Sequence, residues 1–307
     1  MAEDSSASDD DFDIEPEGSA YEISLQPAAD EGSGYHTRND PRQGRQWHRQ
    51  DISQRKGAIS FRCNMIDVVH GKWAPDSDDY ATLVVFLFRF DVKKRSRRIS
   101  RVEMTFSFFG ANDEDPYSRP AVHAISFDGS FSLAEEKNSE STTKGVEGTA
   151  GLTGAQFAEL SSTLKWERTV TRDKKTYTTV VGNKYRRNYE FGPDDQANWV
   201  LLENDTLKTG VPVAFRAAVL LKREDNLPFK CETTFNVQAD LRHRLEDFFA
   251  SKVIDDPVLF NPQVKVERDI TLKAVKHMDG NAMGSFDVEA VGDVTFLRIR
   301  DKAIKNE

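Results

Sequence analysis

Lys93-Lys94-Arg95-Ser96-Arg97-Arg98 places five cations in six residues, with Arg89 and Arg101 on either side. Such a density suits phosphate chemistry: an anionic lipid headgroup, a nucleic-acid backbone, or the nuclear-import machinery that reads basic clusters. The plainer use of the same residues is a charged hairpin tip that protects solubility and a sheet edge. Lys93, Lys94, Arg95, Arg97 and Arg98 are therefore the expected anion-binding or nuclear-import residues. A second basic set, Arg168, Arg172, Lys174, Lys175, Lys184, Arg186 and Arg187, flanks an expected hairpin at Tyr177 and would extend such a patch.

No catalytic pattern accompanies these cations. The sequence has no Gly-x-Ser-x-Gly, no Gly-x-x-x-x-Gly-Lys, no His-Glu-x-x-His and no Cys-x-x-Cys. Six histidines, at 36, 48, 70, 123, 243 and 277, are scattered. Carboxylates cluster at Asp76, Asp78 and Asp79, at Asp113, Glu114 and Asp115, and at Asp194 and Asp195, hard oxygen donors of the kind calcium takes. Their spacing matches no calcium loop, and aspartate is an ordinary turn former. Gly145, Gly148, Gly151 and Gly154 recur every third residue without the strand and helix that a phosphate cradle requires. The expectation is no catalytic residue, no metal site and no cofactor.

Charge is unevenly placed. The whole chain carries -9, residues 1–37 alone contribute -11 with no Lys or Arg, and residues 38–56 return +4. So little apolar surface cannot offset the entropy of ordering the segment, and 1–56 is expected to be a disordered acidic tail with a basic linker. Two apolar islands interrupt it: Phe12 with Ile14, and Tyr21-Glu22-Ile23-Ser24-Leu25. The alternation of the second suits adding a strand to another sheet, which makes Phe12, Ile14, Tyr21 and Ile23 the expected partner-docking residues. The start, Met1-Ala2-Glu3-Asp4, lacks the features of a signal peptide, and the longest apolar run, Leu83 to Phe88, is six residues. These point to a cytoplasmic or nuclear protein that is not secreted, with no transmembrane segment and with Cys63 and Cys231 as reduced thiols.

From Gly57 onward, short runs rich in Phe, Val, Ile and Thr alternate with polar residues between Asp, Asn, Gly and Pro clusters. Val102, Met104, Phe106 and Phe108 form one half-buried strand. Leu83 to Phe90 is apolar on both faces, as expected of a central strand covered on each side. Many such strands predict an all-β fold, a two-sheet antiparallel β-sandwich with one short helix. Asp240 as N-cap, with Leu241, Leu245, Phe248, Phe249 and Val253, supplies that helix. Thr153 to Leu164 fits helix or strand and is assigned to strand. The expected divisions are the tail at 1–56, a sandwich at 57–262 and a C-terminal β-hairpin at 263–307, built from Val264 to Val275 and Ser285 to Arg300.

Trp199-Val200-Leu201-Leu202-Glu203-Asn204, Gly210-Val211-Pro212, Ala217 to Arg223, and Asp255-Asp256-Pro257-Val258-Leu259-Phe260-Asn261-Pro262 resemble a group of uncharacterised proteins of filamentous fungi. The resemblance covers about residues 57 to 262. It implies no activity and assigns no functional residue. The expectation that remains is a non-enzymatic intracellular interaction module with a protein partner. Its rival is a peripheral module for anionic lipid or phosphate, nucleic acid included, that uses the basic hairpin with calcium in the Asp loops.

Overall fold

The computed structural model describes residues 20–24, 36–56, 59–93, 98–110, 119–146, 166–187, 191–240 and 255–296. They form two antiparallel sheets. The seven-stranded sheet runs β1 (Ala20–Ser24), β11 (Phe229–Asp240), β5 (Arg98–Phe109), β9 (Gln196–Leu202), β8 (Trp166–Tyr185) and β7 (Gly129–Val146), with β12 (Val258–Phe260) also on β11. The six-stranded sheet runs β13 (Asp293–Thr295), β10 (Ala214–Arg223), β4 (Tyr80–Val92), β3 (Ile59–Lys72) and β2 (Asp51–Arg55), with β6 (Ala121–Ile125) also on β10.

Alternation decides which side chains meet between the sheets. Val102, Met104, Phe106 and Phe108 of β5 are all fully buried and face Val84, Phe86 and Phe88 of β4. Phe86 stacks on Phe106 at 4.3 Å between ring centroids. Trp199 is also fully buried, and its indole N–H donates to the Ser126 carbonyl at 2.8 Å, so that the polar atom of this large ring is not left unpaired. The opposite residues of the central strands, Leu83, Val85, Ala218 and Leu220, enter a second core with Val275, Met283, Val288 and Val291. Both faces of β4 are thus covered, which is why its sequence is apolar without a polar side.

Three expectations change. Disorder is expected to reach Lys56, yet residues 36–56 are ordered: β2 pairs with β3, and residues 37–55 are tied to 255–261. Arg55 makes a two-pronged ion pair with Asp255, whose carboxylate also accepts the Thr37 N–H at 2.7 Å. Asp256 accepts the Asn39 N–H, and Arg49 donates to the Asp256 carbonyl. The segment orders because its cations and N–H groups meet carboxylates on the body, which charge counting does not register.

The C-terminal hairpin is absent from the described residues. The segment carries a one-turn helix α1 (Lys273–Lys276), two 3-10 turns and the three-residue β13, which pairs with β10. Its apolar residues fill the outer face of the six-stranded sheet, so residues 266–294 complete the cores and form no separate extension. The basic run is no hairpin tip either. β4 pairs with β3 and β10, whereas β5 pairs with β9 and β11, so the run crosses from one sheet to the other. The expected helix after Asp240 and the Thr153 to Leu164 strand lie outside the described residues.

Candidate functional site

Of the residues singled out for partner and anion contact, Tyr21, Ile23, Lys93 and Arg98 are among the described residues. Phe12, Ile14, Lys94, Arg95 and Arg97 lie outside the described residues. Lys93 is exposed at the end of β4. Arg98 opens β5 and ion-pairs with Glu203 at 3.2 Å, a carboxylate that is almost fully buried and also accepts the Gly210 N–H. Arg98 therefore serves the sandwich. Tyr21 and Ile23 lie on β1, opposite Ala239 and Val237 of β11. The tail strand adds to a sheet as its alternation suggested, and the sheet is its own.

Two carboxylates of the acidic loops, Asp79 and Asp195, meet protein cations. Asp195 is buried and meets Arg119, equally buried, at 2.9 Å; its other oxygen accepts the Arg187 N–H. Asp79 meets Lys222 at 2.8 Å, which holds its carboxyl below the usual carboxylate range. No group of three or more His, Cys, Asp or Glu among the described residues could hold a metal ion. Asp113, Glu114 and Asp115 lie outside them.

The densest polar cluster in the interior was not legible as one, because it joins residues far apart in sequence. His48 Nε2 lies 3.0 Å from His70 Nε2 and also accepts the Asn261 N–H at 3.2 Å. An accepting nitrogen carries no proton, so His70 Nε2 is the donor. His70 Nδ1 then accepts from the Thr82 hydroxyl at 2.8 Å, and Thr82 Oγ1 accepts from Arg223 Nε at 3.0 Å. Burial, with Arg268 nearby, pushes the His48 pKa down to about 4. Burial, His48 and Arg223 push that of His70 down to about 3. Both rings are neutral at pH 7. The cluster is a structural clasp between the N-terminal segment and β3. Cys63 and Cys231 are buried free thiols whose pKa values burial raises, which makes them poor nucleophiles.

What stands out at the periphery is backbone. β7 and β8 are 18 and 20 residues long, yet β8 pairs with β9 only from Thr179 to Tyr185. The remaining stretch, Glu136–Val146 opposite Trp166–Thr176, is a two-stranded ribbon that runs past the sheet. Tyr177 sits inside β8, so the second basic set lies along a strand and does not surround a hairpin. The ribbon springs from a tight corner between the sheets. Phe127 has φ of 59°, its N–H donates to Glu289 at 2.7 Å, and a Cβ on Gly182 would meet the Phe127 carbonyl oxygen at 2.1 Å.

No family model and no curated protein matches the chain. Among solved structures, the chain is similar to the membrane-inserted form of the Clostridium perfringens NetB toxin, at 7% identity over 80% of this chain and 92% of the toxin chain. The TM-score is 0.27, a likeness that carries no argument about function.

Proposed function

We propose that the protein is a non-enzymatic interaction module that takes its partner by strand addition at the β11 edge of the seven-stranded sheet. The observation that supports this reading is the five-residue antiparallel pairing of β1 with β11, Ala20 opposite Asp240 through Ser24 opposite Asn236. An edge that accepts one extended segment presents the same row of N–H and C=O groups to another. β1 is the built-in occupant, and the partner is an extended segment with the same alternation as Tyr21, Ile23 and Leu25.

The test uses a labelled peptide spanning residues 15–32 and a variant lacking residues 1–35. The shortened protein is expected to bind the peptide in trans, and the full chain at least ten times more weakly, because its own strand competes. A peptide with proline at both Glu22 and Ile23 is expected not to bind, since one of two successive N–H groups faces the edge and proline has none. Failure of the shortened protein to bind the peptide sinks the reading. If anionic vesicles bind instead, and salt releases them, the peripheral lipid-binding alternative takes its place.

A further inference from the structure

The projecting ribbon is poorly equipped to stand alone. It holds eleven residue pairs, about 35 Å of strand, with no other named strand on either side among the described residues. Isolated two-stranded ribbons are marginal in water. The base of this one, by contrast, is fixed to the body at the Phe127 corner. The ribbon is thus an anchored arm whose two hydrogen-bonding edges no other named strand covers among the described residues.

Those edges are complementary to each other. β7 and β8 run antiparallel, so the outer edge of β8 in one copy, laid beside the outer edge of β7 in the next, continues the same antiparallel sheet. The two surfaces differ, and a head-to-tail contact of this kind ends only by closing into a ring. Closure removes every free edge, which is what a barrel achieves.

We propose that copies of this chain assemble head to tail through their ribbons, β8 of one beside β7 of the next, into a closed ring of antiparallel strands. The occupant of the free edges is a second copy. This is independent of strand addition at β11, on the opposite edge of the sheet.

The test measures the mass of the full chain by mass photometry and sedimentation, in buffer and on dye-filled vesicles of phosphatidylcholine with 30% phosphatidylserine. A single oligomer of fixed size is expected in at least one setting. A variant with residues 136–176 replaced by Asn-Gly, checked for an unchanged melting transition, is expected to remain monomeric in both. Dye release by the full chain and not by the ribbon-less variant supports the ring. A full chain that stays monomeric in buffer and on vesicles overturns the proposal, and so does an oligomer that survives removal of the ribbon.

Discussion

His48 and His70 share one hydrogen bond, Nε2 to Nε2 at 3.0 Å, in which His70 donates and His48 accepts. The bond requires one of the two Nε2 atoms to be unprotonated; protonating both rings fully would place two cations at hydrogen-bond distance, beside Arg223 and Arg268.

Acid sensitivity follows from the direction of those shifts. Folded pKa values of about 4 and 3 lie below the unfolded value of 6.5, so below pH 6.5 the unfolded chain binds more protons. The stabilisation is complete above pH 6.5 and is lost as the pH falls toward 4 and 3, by about 1.4 kcal/mol per unit for each histidine. Melting temperature is expected to be flat from pH 8 to 6.5 and to drop between 6.5 and 5, before most carboxylates titrate. In a His48→Gln, His70→Gln double variant that drop should vanish. A wild-type protein equally stable at pH 6.5 and 5 would contradict the arrangement.

Truncation separates the tail from the strap behind it. Removing residues 1–35 deletes β1 and leaves the contacts of Thr37, Asn39, Arg49 and Arg55 with Asp255 and Asp256 intact. Its melting temperature should stay within a few degrees of the full chain's. Removing residues 1–56 also takes away β2, the Arg55–Asp255 ion pair and the His48–His70 bond, and should lower the melting temperature well below that of the shorter truncation. Calorimetry of the two fragments decides; equal stability would mean that the strap contributes nothing.

Asp195 is a second such point. Arg119→Met leaves its carboxylate with Arg187 alone, whose guanidinium is 3.8 Å away and whose backbone N–H donates to the other oxygen, and is expected to cost about 3–5 kcal/mol in denaturant unfolding. The double variant Arg119→Met, Asp195→Leu removes both charges and should recover much of that loss. If the single substitution proves harmless, the pair is not buried as described.

Much of the sandwich was legible because burial leaves a period. β5 alternates as Val102, Met104, Phe106 and Phe108 require, and the doubly apolar Leu83 to Phe90 correctly foretold a strand covered on both sides. Partnership leaves no such period. Nothing in the residues around Lys93 to Arg98 says that the flanking strands belong to different sheets. The C-terminal segment packs through scattered side chains on turns, so its alternation misled. The strap and the His48–His70 clasp depend on contacts between residues 22 to 218 positions apart, which composition and local pattern do not encode.

The second core also sets an order of events at the ribosome. Leu83, Val85, Ala218 and Leu220 are covered by Val275, Met283, Val288 and Val291, which are made last. At about 5–20 residues per second, some 4–14 s separate the synthesis of β10 from that of Val291. During that interval the central sheet presents a bare aliphatic face, an exposed apolar surface of the kind that makes a folding intermediate prone to aggregate.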